Sequence, residues 1–555
     1  MEYDLKIEGG TIADGTGGPL ARGDIGIRDG RIVAIGEAPG SARRTIAAEG
    51  HIVCPGFIDI HTHYDAQVMW DRMLTVSPWH GVTTAILGNC GFGVAPTRPA
   101  HRAMLIATLE KVEGMSREAI ELGLGAEWPF ETFPQYLDAI EARGVAINVG
   151  VMIGHTPVRL YVMGEAAVER AATDDEIAAM RRIVREAIDA GAIGFATSKS
   201  LTHLGFAGKP VPSRLATTAE ILALVTALGE AGRGTLQATI GPGMLFAEMA
   251  EMVRASGRPM TWSALLTGIM GPGSHRFFLE ESARLIAQGL PIAPQASCRP
   301  LVFEFHFAEP YVFESLPSFV ALATASAAAR RAAYADPGFR AALRQALVTG
   351  PFAGCFDRMV VAYHPTQPAL EEQSVRDLAA RAGRDIVDYC LDLALADDLR
   401  PRFRMAMLNH DETELAEILT HPAIVLGLSD AGAHASQLCD ACFSTHLLGH
   451  WVRERAVLSL ERAVWLLTGR AAELFGLRDR GRVALGLAGD LVVFDPKTVA
   501  AGKLRRVQDQ PAGAERLIVD AHGIRAVIVG GTLLREDGRD VIDPKGPLPG
   551  RVLRG

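Results

Sequence analysis

Pro55-Gly56-Phe57-Ile58-Asp59-Ile60-His61-Thr62-His63-Tyr64-Asp65 decides how the rest of this 555-residue sequence is read. Ile52, Val53, Phe57, Ile58 and Ile60 form an apolar, β-branched run and polar residues begin abruptly at His61, the pattern of a buried strand that stops in two histidines. In a strand, residues i and i+2 point to the same side, so His61 and His63 present two imidazoles to one point beyond the strand end. That is metal-ligand spacing, although two histidines at a strand end also serve as plain polar loop residues. A second apolar run, Ile424-Val425-Leu426-Gly427-Leu428-Ser429-Asp430, ends in a lone carboxylate. A histidine pair on one strand and an aspartate on another can hold a divalent ion with a position left for water, and such a water ionises near neutral pH.

The pattern Pro-Gly-Phe-Ile-Asp-x-His-Thr-His, followed by Gly81-Val82-Thr83-Thr84 and Gly88-Asn89-Cys90-Gly91, resembles the D-aminoacylases (N-acyl-D-amino-acid deacylases) of the amidohydrolase superfamily. The resemblance covers nearly the whole chain. The stretch 23–32 is like the family's opening sheet, and Leu487-Ala488-Gly489-Asp490-Leu491-Val492-Val493-Phe494-Asp495 is similar to the strand where the family's chain returns to that sheet.

Hydrophobic residues make up 48% of the chain and charged residues 21%, enough apolar material for one large core or two. A formal net charge of -9 gives no electrostatic footprint for nucleic acid, and no basic amphipathic stretch suggests a membrane surface. No apolar run reaches the roughly 18 residues of a membrane span. Met1-Glu2-Tyr3-Asp4-Leu5-Lys6 lacks a basic region and an apolar signal core, so a cytoplasmic location is expected. Seven cysteines without a signal peptide argue against a disulfide framework, and Cys439-Asp440-Ala441-Cys442 has CxxC spacing with no second pair. The expected partner is a small-molecule substrate.

From residue 4 to about 54, short alternating segments punctuated by Gly9-Gly10, Gly17-Gly18 and Asp29-Gly30 read as small antiparallel strands. Leu491 to Phe494 and Ile524 to Val529 read as their partners. Both chain ends, 1–55 and 471–555, are therefore expected to build one β-sandwich, with 56–470 inserted into it. That middle alternates strand-like runs with helical patterns, the mark of a parallel sheet wrapped by helices. Candidate strands at 83–87, 146–153, 192–197, 234–238, 259–263, 291–295 and 424–428 bring the count to eight. The fold class expected is α/β, a TIM-like (β/α)8 barrel with its site at the carboxyl ends of the strands. Thr173-Asp174-Asp175-Glu176 has the form of a capping box before Ile177, Met180, Ile183, Val184 and Ile188, and Thr217-Thr218-Ala219-Glu220 opens the next helix in a similar way. Strands seven and eight are separated by far more chain than one crossover helix requires, including alanine-rich 321–335 and helix-like 375–396. We read a helical insertion at about 300–405, suited to a lid or substrate wall, or to a structural or homo-oligomer-forming role.

Read alone, Cys90 on its tight glycine turn is a metal thiolate or a buried structural cysteine; the resemblance makes it a metal ligand. His155, after strand three, is placed to contact a substrate or an oxyanion, or else to hydrogen-bond a loop. Arg299, after strand seven, suits a substrate carboxylate, its alternative being a surface salt bridge. Lys199 ends strand four, where some members of the superfamily carry a carboxylated lysine between two metals, but the resemblance gives that role to the cysteine. His203 and His275 are further imidazoles near strand ends, and His434 follows Asp430 as a partner to orient it. One departure stands out. D-aminoacylases contribute a histidine each from strands five and six, whereas 234–239 and 260–266 contain none, and Gln237 offers only a neutral amide oxygen, a weak ligand for zinc.

The expectation is one zinc ion, a second remaining open, held by His61, His63, Cys90 and Asp430, with Asp430 also carrying protons. The reaction expected is hydrolysis of a non-peptide carbon–nitrogen bond, foremost the amide of an N-acyl amino acid, with the D-configuration implied by the resemblance. Opening of a cyclic amide or lactone, a non-hydrolytic step, or ligand binding without catalysis are the alternatives that the same site leaves.

Overall fold

The computed structural model describes residues 2–349 and 352–555. Eight strands lie within three residues of the apolar runs: Phe57–Asp59 continued by His61–Thr62, Val82–Leu87, Asn148–Gly154, Gly194–Ser198, Thr235–Thr239, Met260–Leu265, Ile292–Ala296, and Val425–Leu426 continued by Leu428–Ala431. Each runs parallel to the next. Leu428 pairs with His61 and Ala431 with Thr62, so the eighth strand meets the first and the sheet curls on itself. Buried side chains line both faces of these strands, as expected where helices cover the outside.

The run from Ile52 to Ile60 is two strands rather than one. Ile52–Pro55 belongs to the sheet of the chain ends and Phe57–Asp59 to the curled sheet. Gly56 makes the joint, because a Cβ there would lie 2.0 Å from Thr83 Oγ1. Around the strands, the helix Asp174–Ala190 opens with both bonds of the Thr173/Glu176 capping box. Thr217 caps Thr218–Ala231 by accepting from the Glu220 amide, but the Glu220 carboxylate turns inward to His155 and Arg159, so that box stays open.

Tyr3–Ile12, Ala21–Arg28, Arg31–Gly36, Ala42–Ala47 and Ile52–Pro55 join Leu491–Phe494, Ile524–Val529, Thr532–Glu536 and Arg539–Asp540 in one nine-stranded sheet over a core of Leu5, Ile7, Ile27, Val53, Val493 and Ile528. Buried Asp490 ties this sheet to the third parallel strand: it accepts from Asn148 Nδ2 at 3.0 Å, from the Gly530 amide at 2.6 Å and from Arg480. The carboxyl end does more than complete that sheet. Ala500–Val507 and Arg516–His522 form a separate hairpin, which reaches the loop after strand eight where the Leu517 amide donates to the Ala435 carbonyl at 2.6 Å. Val552–Leu553 pairs in parallel with strand three.

The insertion after strand seven is mixed rather than helical. Leu301–His306, Met359–Tyr363 and Arg402–Leu408 form an antiparallel sheet, with Arg402–Leu408 central, packed by Ala327–Ala335, Pro337–Ala346, Val375–Arg381 and Ile386–Ala396. Its core is its own, rich in aromatic rings such as Phe305, Phe307, Phe313, Phe319 and Phe403. The period-two placement of Phe303, Phe305 and Phe307 is a strand signal that the alanine-rich helices on either side mask. Where the insertion returns, buried Asn409 closes its base: its side chain donates to the Ser297 and Arg299 carbonyls at 3.0 and 2.8 Å, and it exchanges two bonds with the Thr267 backbone.

His80, just before strand two, joins the terminal hairpin to this body. Its fully buried ring places Nε2 2.9 Å from the Val519 carbonyl and Nδ1 2.7 Å from Thr445 Oγ1. Burial pushes its pKa down to about 4. An unfolded chain takes up that proton near pH 6.5, so the contribution of neutral His80 is present above pH 6.5 and is lost as pH falls toward 4, at about 1.4 kcal/mol per pH unit. Urea midpoints at pH 7.5 and pH 5 should therefore show a smaller acid loss in His80→Gln than in the parent; equal losses would remove His80 as a source.

Candidate metal centre

Strand one delivers His61 and His63 on one side, and both rings are buried with centroids 5.3 Å apart. Gln295 Nε2 donates to Thr261 Oγ1 at 2.9 Å, which turns its amide oxygen to His61 Nδ1 at 2.6 Å. That bond places a proton of His61 on Nδ1 and turns Nε2 to face the site. That nitrogen is 3.3 Å from Cys90 Sγ and 3.6 Å from Asp430 Oδ1. His63 Nε2 is 3.1 Å from the same Asp430 oxygen. His61, His63 and Cys90 form a group of such side chains whose donor atoms all lie within 4.8 Å of one another.

Backbone strain aims two of these donors. Cys90 has φ 55° and Asp430 φ 56°, left-handed conformations that cost a residue with a side chain about 1–2 kcal/mol each. The Cys90 turn begins at Gly88, φ 84°, where a Cβ would lie 2.1 Å from the Met152 carbonyl oxygen. The Cys90 amide donates to Gln237 Oε1 at 2.8 Å, and Gln237 Nε2 donates to Ser263 Oγ at 3.0 Å. The strands that lack histidines therefore carry amides and hydroxyls that hold the donors from behind.

The donor set fits a zinc ion. Two ligands at about 2.1 and 2.3 Å on tetrahedral directions stand roughly 3.6 Å apart, and the contacts of 3.1, 3.3 and 3.6 Å match that spacing. Electrostatics agree with the chemistry of the donors. Burial opposes ionisation of Cys90, but the two imidazoles outweigh it and hold the thiol well below its usual range. Burial likewise opposes a charged Asp430, and His63 and His61 hold its carboxyl below the usual range. Asp430 is also the most open of these side chains, 30% exposed against 2% for either histidine.

Other sequence candidates lie elsewhere. His155 is fully buried, with Nδ1 2.8 Å from Thr197 Oγ1 and Nε2 2.9 Å from Glu220 Oε1, so the expected substrate contact is replaced by a buried cluster with Arg159. The Arg299 Nε donates to Asp440 at 2.7 Å, and its side chain lines a separate cavity of about 310 Å³ with Arg404 and Lys503, so it is held as an ion pair rather than as a free fork. Lys199 donates to the Arg214 and Ala216 carbonyls, and His275 lies between Glu414 and Glu417. His203 comes nearer: bonded to Ser198, its ring packs 5.2 Å from that of Phe92, itself 6.3 Å from that of His63. His434 meets the site through its backbone, donating to the Glu113 carbonyl at 2.5 Å.

Glu113 is the residue that sequence reading missed. It ends the helix Arg102–Glu113, is 3% exposed, and puts Oε2 3.7 Å from His63 Nε2; burial pushes its carboxyl up to about 8. Gly114, left-handed just after it, is the local helix-stop signal. Which way that helix end faces is a tertiary fact. A cleft of about 410 Å³, lined in part by Gln67, Trp70, Gly114, Met115, Gly432 and Gln437, lies against the residue after Glu113 and the loop after Asp430.

Removing the amide that sets the His61 tautomer should weaken metal binding. Gln295→Leu is expected to lower zinc affinity by about 10- to 100-fold in a chelator competition. Unchanged affinity would mean that the Gln295 bond does not prepare His61 for a metal.

The sequence profile of the amidohydrolase family matches residues 44–534. A D-aminoacylase of Alcaligenes xylosoxydans xylosoxydans is 31% identical over 501 residues, covering 90% of this chain and 89% of that protein. Among solved structures, a D-aminoacylase described by its binuclear metal centre, with one-metal activation and second-metal attenuation, superposes with a TM-score of 0.68 at 26% identity, covering both chains fully. The N-acyl-D-glutamate deacylase of Bordetella bronchiseptica, complexed with zinc and a phosphonate mimic of the tetrahedral intermediate, gives 0.67 at 28% identity, again covering both chains fully. Profile, relative and structures agree with the geometry of the strand ends, and the chain belongs to the amidohydrolase family.

Proposed function

We propose that this protein is a zinc-dependent deacylase that hydrolyses the amide bond of N-acyl-D-amino acids. The observation that carries the reading is the placement of His61, His63 and Cys90 within one ligand sphere, with Asp430 3.1 Å from His63. The relatives named above act on N-acyl-D-amino acids, which supports the substrate class and its configuration. His61, His63, Cys90 and Asp430 would hold the ion. When bound, zinc supplies Lewis acidity and lowers the pKa of water.

The chain's own groups do the rest. Gln295 and Gln237 keep His61 and Cys90 in position. Asp430, the open carboxylate, takes a proton from the attacking water and returns it to the leaving nitrogen, which must depart as an amine. The cleft at Gly114 and Gly432 would give the acyl or side-chain end of the substrate a partly apolar wall at Trp70 and Met115.

We further propose a TIM-like (β/α)8 barrel at 56–470, a β-sandwich from 1–55 and 471–555, and an insertion at about 300–405. No helix among the described residues is long and apolar enough to cross a membrane. A cytoplasmic location is supported by seven free cysteines.

The test is a panel of N-acyl-D-amino acids, their L-forms and cyclic amides, offered to the zinc-loaded protein. Release of free D-amino acid is expected, falling about 10²- to 10⁴-fold in Asp430→Asn. Turnover confined to cyclic amides would overturn the deacylase reading, and an unimpaired Asp430→Asn would remove the proton role.

A further inference from the structure

We infer that Glu113 is an additional metal ligand of this centre, acting with His63 and Asp430 on its carboxylate side; the inference rests on the metal-centre reading above. Three observations carry it. The Glu113 side chain is 4% exposed, yet among the described residues its carboxylate accepts no hydrogen bond, and its one ion-pair contact is His63 Nε2 at 3.7 Å. A carboxyl group withdrawn from water ionises only where a paired charge or a metal meets it, and its charged partner here is His63.

The contact is made to the nitrogen that faces the site, the same atom that stands 3.1 Å from Asp430. At 3.7 Å the Glu113 oxygen sits at the separation of two ligands on one ion, close to the 3.6 Å between His61 and Asp430. The backbone then fixes it there: the Glu113 carbonyl accepts from the His434 amide at 2.5 Å, which ties the end of the helix Arg102–Glu113 to the loop that follows Asp430.

The donor set explains why such a residue is useful. The side-chain oxygen of Gln237 is already taken by the Cys90 amide, and Ser263 is bonded to Gln237 and Thr239, so strands five and six have no group left for an ion. Glu113 supplies a hard oxygen donor from the mouth of the curled sheet instead of its interior. A thiolate, two imidazoles and carboxylate oxygens make a mixed donor set that suits zinc or cobalt.

The experiment uses the full-length protein, stripped of metal and titrated with zinc against a chromophoric chelator, in the parent, Glu113→Gln, Glu113→Ala and Glu113→Asp. Cobalt replacement and its visible spectrum give a second readout that does not depend on turnover. Zinc affinity is expected to fall at least about 10-fold in the Gln and Ala variants, with partial recovery in Asp, and the cobalt bands of Glu113→Gln should shift as one donor is lost. Near-isosteric Glu113→Gln decides the matter if the Ala variant fails to fold. Zinc affinity within twofold of the parent together with an unchanged cobalt spectrum would overturn the assignment and leave the metal centre standing. A parent protein that takes up neither zinc nor cobalt would overturn the metal centre itself.

Discussion

Two backbone pairings, Leu428 opposite His61 and Ala431 opposite Thr62, bring Asp430 of strand eight beside a histidine pair that the chain left behind at the end of strand one. Everything at the site depends on this closure. A parallel strand needs a crossover before it can pair with the next, so the first and last strands meet only when every intervening unit has been laid down in order. The donors are thus the product of the whole ring, although each is presented by a local device: period-two alternation for the histidines, left-handed backbone for Cys90 and Asp430.

The fold was legible in the sequence to the extent that it was written in periodicity. Apolar runs of four to eight residues located the parallel strands, and the Thr173/Glu176 box located a helix start, because both signals are local. The joint at Gly56, the mixed insertion and the hairpin Ala500–Val507/Arg516–His522 were not legible, since each is decided by what a segment packs against. The site divides in the same way. His61, His63 and Asp430 declare themselves by ending apolar strands and Cys90 by its resemblance, whereas Glu113 reaches the centre only through the direction of a helix end. His155 and Arg299 show the converse: polar residues at strand ends whose hydrogen-bonding capacity is spent within the protein, on Glu220 and Asp440.

Strands five and six carry no histidine at their carboxyl ends, and hydrogen-bonding side chains stand there. Gln237, Ser263, Thr261 and Gln295 form hydrogen bonds across strands five, six and seven and end on Cys90 and His61. On these strands the polar side chains orient candidate donors instead of offering donors of their own. Such a layer works only when every donor has an acceptor, because a half-satisfied polar group in a buried site costs more than an apolar one. Gln295 meets this requirement on both ends of its amide, and so does Gln237.

The insertion has its own aromatic core and a sheet of its own; buried Asn409 bonds its base to the ends of strands six and seven, and Glu304 and Arg402 join it to the loop after strand eight and to the terminal hairpin. A segment with a core of its own can loosen as a cooperative unit of its own while the parallel strands beneath it stay paired.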